Sequence, residues 1–440
     1  MMNGRAALAG LLALAPVLGA CDEGVLNPPE ADDELFVQYV AIGNSITAGF
    51  QSAGINEDTQ QESYAVLLAE QMGTDFAIPA LSSPGCPAPL TDLLTGERVG
   101  DAGPEDCALR RSPVPEVLNN VAVPQATPLD VFDNLDPASQ PNPLTLFILG
   151  GRTQAEAARA VDPTFATVWV GNNNALGVAT TGAVNDETLT PLDTFEDRYA
   201  TMLDELGADM EGVLVGVAHP IFVPFLSFAA VYWQLHEAGQ LPDNFQVHES
   251  CSPDPQDGGI GISYVPFSYG FQELLLPALE DEELEVELNC AEDEQVLRPN
   301  ELNEVTDRVN AYNDFVEAEA EARGWAFVNP NLVLQQMDQL GLIPPFPFEQ
   351  PDQPFGPVFS LDGIHPNANF HGIAAEVLVE SINEHYETEL EPPDPPGAQS
   401  AGQLGGDAQV PRALQLLRPT HPPGVTRSEA AGVDTGDGGR

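Results

Sequence analysis

Apolar residues along the chain form short blocks that alternate with stretches of helical periodicity. The blocks that predict buried strands cover residues 35–42, 117–123, 165–171, 212–218 and 325–329. Apolar residues at helical spacing predict helices at about residues 64–72, 153–160, 195–206 and 301–323. Strands that alternate with helices indicate βαβ units with right-handed crossovers. The pattern therefore predicts an α/β fold with about five parallel strands.

Two segments interrupt this alternation, and we interpret them as insertions into one domain that covers residues 35–388. Residues 79–115 are rich in proline, glycine and polar residues and predict a loop excursion. Residues 221–290 begin with a very apolar stretch, which predicts either a lid or acyl-binding wall, or a helix packed on the sheet. Residues 389–440 are rich in proline, glycine and alanine and are expected to be disordered.

The charge of the chain excludes some classes of partner. The formal net charge is −54, and all 14 basic residues are arginines. A strongly negative surface repels phosphate backbones and anionic lipid head groups. We therefore expect no nucleic-acid partner.

The N-terminus has the pattern of an export signal. Arg5 supplies a positive charge, and an apolar stretch follows that is too short to span a bilayer. Residues 18–21, Leu-Gly-Ala-Cys, resemble the lipobox of bacterial lipoproteins, which implies that residues 1–20 are removed and that Cys21 is lipidated. Residues 21–34 would then be an acidic tether. The alternative is an ordinary secretory signal with Cys21 in the mature chain.

Both interpretations of the N-terminus predict export. The lipoprotein interpretation places the protein in the bacterial cell envelope, lipid-anchored and extracytoplasmic, with the membrane as a partner through its N-terminal lipid.

Four further cysteines suggest two disulfides, for which three pairings exist. We prefer the pairs that are local in sequence, Cys86–Cys107 and Cys251–Cys290, because each closes an apparent insertion. A zinc site is disfavoured because the sequence contains no Cys-x-x-Cys.

Candidate chemistry begins at the end of the first predicted strand, where Ser45 follows Gly43-Asn44. A hydroxyl at the carboxyl edge of a parallel sheet lies where open α/β folds keep their active sites. His365, three residues after Asp362, is the candidate base, because a carboxylate on Nδ1 would leave Nε2 free to accept the serine proton. His219, at the end of the fourth predicted strand, is the second candidate for a base or a pocket residue.

Four short motifs in order resemble the blocks of the SGNH (GDSL-type) hydrolases, which are exported esterases and lipases. These are Gly43-Asn44-Ser45, residues 120–126, Gly171-Asn172-Asn173 and the run from Asp362 to His365. The resemblance implies a flavodoxin-like, three-layer α/β/α fold over residues 35–388. It implies the triad Ser45, His365 and Asp362.

The same resemblance implies an oxyanion hole made of the Ser45 N–H, the N–H of Gln125 and the side-chain amide of Asn173. Two residues depart from the pattern. Asn44 replaces an aspartate beside the nucleophile, where we expect a modest effect. Gln125 replaces a glycine, which tolerates a positive φ and lets the substrate approach closely. The glutamine could therefore narrow the site or shift the backbone N–H that serves as an oxyanion donor. Gly85 is an alternative source of the oxyanion glycine.

The resemblance implies two-step acyl transfer through an acyl-enzyme, without metal or cofactor. The expected function is a membrane-tethered, exported serine esterase or lipase that acts on small-molecule or lipid esters. One alternative is a binding or structural lipoprotein on the same scaffold that has lost turnover, as the change from glycine to Gln125 suggests. Another is a carbohydrate acetylesterase. The aromatic stretch 222–233 favours lipophilic acyl groups.

Overall fold

The structure, a computed structural model, describes residues 34–108, 110–139, 142–344, 346 and 353–393. The predicted lipobox with Cys21, almost all of the predicted tether and the predicted tail beyond residue 393 lie outside these residues. None of the described helices combines the length and the hydrophobicity needed to cross a bilayer.

Four parallel strands form the central sheet. In chain order these are β1 (Tyr39–Gly43), β2 (Phe165–Trp169), β3 (Glu211–Val215) and, after the second insertion, Ala326–Val328. They lie side by side in that same order. The predicted first strand began too early, since Glu34–Phe36 forms a 3₁₀ turn before β1.

Residues 117–123, predicted to be a strand, instead run beside β1 as an irregular edge. Ala41 N–H donates to the Asn119 carbonyl (2.8 Å), and Val121 N–H donates to the Ala41 carbonyl (3.0 Å). Only one isolated parallel bridge, Ala41–Asn120, is formed. The regular ladder is interrupted because the Gly43 N–H donates to Gln154 Oε1 (3.0 Å) and the Tyr39 carbonyl accepts from Asn119 Nδ2 (2.7 Å), so side chains occupy two backbone groups of β1. The central sheet thus has four strands and one irregular edge segment, where the sequence predicted about five strands.

Helices cover both faces of the sheet. In chain order they are α1 (Ser45–Ala48), α2 (Glu57–Gln61), α3 (Tyr64–Met72), α4 (Pro128–Phe132), α5 (Pro143–Leu149), α6 (Gln154–Arg159), α7 (Asn173–Thr181), α8 (Leu192–Leu206), α9 (Ala229–Glu237), the π-helix Ser268–Leu275, α10 (Leu276–Glu280), α11 (Pro299–Arg323), α12 (Pro330–Gln339) and α13 (Ala368–Tyr386). They form two groups, with α3 against α13 on one side and α8 against α4, α6 and α11 on the other. Every residue of β1 and β2 is buried, so both faces are covered and the predicted three-layer fold is confirmed.

The second insertion has a core of its own. Its short strands are β4 (Leu226–Phe228), β5 (Phe245–Val247), β6 (Tyr264–Pro266) and β7 (Val286–Leu288). The last strand of the central sheet, Ala326–Val328, is therefore labelled β8. β4 pairs with β6, and β5 pairs with β7. The helix α9 packs within this insertion and not on the sheet, contrary to one of the two interpretations of the apolar stretch.

Both predicted disulfides, Cys86–Cys107 and Cys251–Cys290, are formed. Each closes a loop within one of the two insertions. The cysteine pairing chosen from sequence locality is therefore confirmed.

Candidate active site

Ser45 begins the short helix α1 directly after β1. The Asn44 side chain caps this helix by accepting the Ile46 N–H (3.1 Å), a role that an aspartate could also fill. The tight turn requires Gly43, because a Cβ there would lie 2.1 Å from the Thr47 hydroxyl and 2.8 Å from the Trp169 carbonyl. As the first residue of a helix, Ser45 has a backbone N–H that the helix itself does not use.

His365 and Asp362 form a hydrogen-bonded pair. His365 Nδ1 lies 2.8 Å from Asp362 Oδ2, and the His365 and Ile364 N–H groups each donate to Oδ1 at 2.8 Å. Burial alone would raise the pKa of Asp362, but the charge and the hydrogen bonds of His365, with the Ile364 N–H, lower this pKa to about 2. The carboxylate is therefore ionised at neutral pH and orients the imidazole with Nε2 facing away.

One cavity brings Ser45 and His365 together. Its volume is about 630 Å³, which includes space open to solvent. Its wall is mostly apolar, and the lining residues are Asn44, Ser45, Ile46, Trp169, Asn172, Asn173, Leu176, Ala218, His219, Pro220, Phe222, Val223, Leu334, Phe359, Ile364, His365, Pro366 and Phe370. Among the described residues no hydrogen bond joins the Ser45 hydroxyl to the imidazole, so the two groups face the same space without being bonded.

Asn173 is the third predicted site residue in this cavity wall. It begins α7, and its Nδ2 donates to the Ala126 carbonyl at 2.9 Å. An amide nitrogen carries two hydrogens, so the second remains available toward the cavity. The neighbouring Asn172 Nδ2 is buried and has no hydrogen-bond partner among the described residues, and sequence reasoning had given it no role.

Gln125 has a backbone conformation that ordinarily favours glycine. Its φ is +71°, and the Ala126 N–H donates to the Val123 carbonyl (3.2 Å). This is a turn with Pro124 at its second position and a positive φ at its third, the arrangement of a type II turn. Gln125 is exposed, and unlike Ser45 and Asn173 it does not line the cavity.

The other candidates lie apart from this chemistry. Gly85 lies directly before the loop that Cys86–Cys107 closes, where its carbonyl accepts the Ala108 N–H (2.8 Å), and it does not line the cavity. His219 does line it, but both ring nitrogens are bonded, Nδ1 to the Ile221 N–H and Nε2 to Thr306 Oγ1.

The protonation state of His219 follows from these partners. The Thr306 hydroxyl already donates to a carbonyl, so His219 Nε2 is the donor in that contact. Burial lowers the pKa of His219 to about 3, and the ring is neutral. His219 is thus a fixed wall residue, with no free nitrogen to act as a base.

Comparison with known proteins gives the family. The family model of GDSL-like lipases and acylhydrolases matches residues 39–378. No curated protein sequence matches the chain. Among solved structures, a variant of an acetylxylan esterase from Geobacillus stearothermophilus is 12% identical over 80% of this chain and 94% of its own, with a TM-score of 0.34.

A further solved structure, from Parabacteroides merdae and described as GDSL-like, is 12% identical over 78% of this chain and 94% of its own, with a TM-score of 0.32. These structural similarities are too low to support an argument about substrate. The family match covers most of the chain, and it includes Ser45, Gln125, Asn173, Asp362 and His365. The chain belongs to the family of GDSL-like lipases and acylhydrolases.

Proposed function

We propose that the protein hydrolyses carboxylic esters, with Ser45 as nucleophile, His365 as general base and Asp362 as the carboxylate that orients it. The observation that carries the proposal is the shared cavity, in which Ser45, Asn173 and the Asp362-bonded imidazole of His365 face one space. A base whose tautomer is fixed by a buried carboxylate is suited to remove the serine proton. Contacts of this kind are often long without substrate and shorten in the reacting complex.

The proposed reaction has two steps. His365 Nε2 takes the Ser45 proton as the oxygen attacks the ester carbonyl, and the resulting tetrahedral oxyanion is stabilised by N–H donors. These donors are the Ser45 N–H and the Asn173 amide, which line the cavity, with the N–H of Gln125, outside the cavity wall, as the third candidate. The imidazolium then gives its proton to the leaving alcohol, and an acyl-Ser45 ester remains. A water molecule, deprotonated by His365, attacks this ester and releases the acid and free Ser45.

The chemistry of the wall favours an apolar acyl group. Phe222, Val223, Leu176 and Phe359 surround the space next to Ser45, and burial of methylene groups stabilises binding by about 0.8 kcal/mol each. Hydrolysis of a p-nitrophenyl ester series from acetate to decanoate tests this, with Ser45→Ala as the control. We expect turnover that Ser45→Ala abolishes, and kcat/KM that rises beyond acetate.

Two other outcomes would give different functions. Equal rates for Ser45→Ala and the parent protein would contradict the hydrolase proposal and leave a binding protein on a hydrolase scaffold. Release of acetate from acetylated glycans without hydrolysis of longer acyl esters would identify a carbohydrate acetylesterase. Labelling by a fluorophosphonate probe, followed by mapping of the modified residue, tests the nucleophile assignment to Ser45 independently of substrate.

We also propose that the protein is exported and anchored through a lipid on Cys21. The lipobox-like residues 18–21 support the anchor, and the two disulfides support an oxidising compartment. Fractionation of cells that produce the parent protein or Cys21→Ser tests this. The parent protein should remain with membranes, and Cys21→Ser should be released; equal distribution of the two would contradict the anchor.

A further inference from the structure

A short turn between α1 and α2 has an uncommon backbone. Gln51 and Gly54 exchange backbone hydrogen bonds of 2.9 and 3.0 Å, which closes a two-residue turn. The two central residues, Ser52 and Ala53, have φ of +53° and +51°. Turns of this kind ordinarily use Asn-Gly, because a left-handed conformation costs other residues roughly 1–2 kcal/mol each. Such strain in consecutive residues suggests that the conformation has a function.

The turn directs its backbone donors at the loop that contains Asp362. Ala53 N–H donates to Asp362 Oδ2 at 2.6 Å, although the two residues are 309 positions apart. Ser52 N–H donates to Ser360 Oγ at 2.8 Å, and the Ser52 hydroxyl accepts the Leu361 N–H at 3.2 Å. The left-handed conformation of both residues is what allows consecutive N–H groups to face the same side.

Ser360 completes a bridge between the turn and the carboxylate. Its hydroxyl accepts from Ser52 N–H and donates to Asp362 Oδ1 at 3.2 Å. Each oxygen of Asp362 is therefore held by a group outside the Asp362–His365 pair, Oδ1 by Ser360 and Oδ2 by Ala53. Rotation of the carboxylate away from His365 Nδ1 would break these bonds together.

The same segment also contacts the nucleophile and the imidazole. Phe50 N–H donates to the Ser45 carbonyl at 2.9 Å, and the Phe50 ring packs against the His365 ring with centroids 4.8 Å apart. From the other side, Arg98 donates to the carbonyls of Ala53 (2.9 Å) and Ala88 (2.6 Å), which ties the turn to the first insertion. Residues 45–53 thus connect the two halves of the site.

We infer that Ser360, together with the Ser52–Ala53 turn, is a positioning element that fixes the rotation of Asp362 and so the direction of His365 Nε2. The inference rests on the proposed ester hydrolysis. Ser360 does not line the cavity, and it acts on the reaction only through Asp362. Loss of its hydroxyl should leave substrate binding intact and slow the proton transfer, since a carboxylate that has lost one of its hydrogen bonds spends less time in the orientation that faces Nδ1.

A double-mutant cycle separates positioning from a general loss of structure. The proteins are the parent, Ser360→Ala, Asp362→Asn and the double variant, with Ser360→Thr as the conservative replacement that keeps a hydroxyl. Ser227→Ala is the matched control, because Ser227 is a buried serine whose hydroxyl bonds a carbonyl (3.3 Å) outside the site. Steady-state rates are measured with p-nitrophenyl butyrate. Each rate is divided by the fraction of the protein that a fluorophosphonate probe labels.

We expect Ser360→Ala to lower kcat about tenfold with KM within about twofold, and Ser360→Thr to restore most of that loss. In the Asp362→Asn background the same change should alter kcat less than about twofold. Ser227→Ala should resemble the parent in kcat. An unchanged kcat in Ser360→Ala, or an equal loss in both backgrounds, would overturn the inference. A parent protein without labelling at Ser45 would instead overturn the proposed function, and this inference with it.

Discussion

His365 Nδ1 lies 2.8 Å from Asp362 Oδ2, and this carboxylate accepts further hydrogen bonds from three backbone N–H groups and one hydroxyl. An acceptor-only group in that position admits a single imidazole tautomer, with the proton on Nδ1 and a free lone pair on Nε2. The Nε2 lone pair of His365 is thus available before any substrate binds.

Asp362→Asn tests this control of the tautomer. An amide can donate to Nδ1 and stabilise the wrong tautomer, so we expect kcat to fall by about 10³–10⁴ while the fold is kept. Rates with p-nitrophenyl butyrate and circular dichroism of the same samples measure both. A loss below tenfold in a folded protein would show that His365 does not depend on Asp362.

Asn173→Ala tests the proposed oxyanion donor. Removal of one such donor typically lowers kcat by about 10²–10³, and KM should change little because the donor acts mainly on the developing charge. The neighbouring Asn174 is a matched control: its Nδ2 donates to Thr190 Oγ1 at 3.0 Å, and it does not line the cavity. Asn174→Ala should reduce stability and retain kcat. Similar kcat values for the two variants would contradict the assignment of Asn173.

Gln125→Gly tests whether the positive φ at this position is strained. Glycine adopts a φ of +71° without steric cost, so the variant should be more stable than Gln125→Ala by about 1 kcal/mol in urea unfolding. Gln125→Ala is the appropriate reference because it removes the side chain and keeps the strain. Both variants retain the backbone N–H, and we expect kcat within about threefold of the parent. A more stable Gln125→Ala would contradict this account.

Acid should destabilise the protein through its buried histidines. Burial, with a smaller contribution from the charge of His365, lowers the pKa of His371 to about 3. The unfolded chain binds this proton near pH 6.5 and the native state does not, so stability present above pH 6.5 is lost as pH falls toward 3. Asp362, whose pKa of about 2 lies below its unfolded value near 3.8, contributes stability that is lost only below about pH 4.

His371→Gln isolates this contribution. Between pH 7 and pH 5 the parent protein should lose about 2 kcal/mol more unfolding free energy than the variant, since one additional proton binds to the unfolded parent. The glutamine can still accept the Tyr64 N–H that His371 Nδ1 accepts at 3.3 Å. Urea unfolding at the two pH values gives the difference. Parallel pH dependence in the two proteins would show that the native state binds a proton at His371 as readily as the unfolded chain does.

The sequence pattern predicted the elements whose signals are local. The apolar run ending at Gly43 gave the first strand, and the spacing of apolar residues gave α3, α8 and α11 close to their observed bounds. Residues 117–123 failed as a strand because the side chains of Asn119 and Gln154 occupy backbone groups of β1, a competition that hydrophobicity does not register.

Local sequence patterns did not predict contacts between residues that are distant along the chain. The Ser52–Ala53 turn contains no Asn-Gly signal, and its function depends on Ser360 and Asp362, more than 300 positions later. The site residues near the strand ends were predictable because parallel strands place their carboxyl ends at one edge. The positive φ of Gln125 could be suspected only from the family pattern, since glutamine itself gives no indication of it.

The second insertion has its own hydrophobic core and its own covalent cross-link, and its first residues, Phe222 and Val223, belong to the cavity wall. Part of this segment packs in that separate core, while Leu226, Tyr264 and Phe267 pack with the core of the main domain. The cavity wall is thus built jointly by the central sheet and by a segment with its own disulfide. Substitutions at Phe222 or Val223 would therefore reshape the cavity wall while leaving the Asp362–His365 hydrogen bond in place.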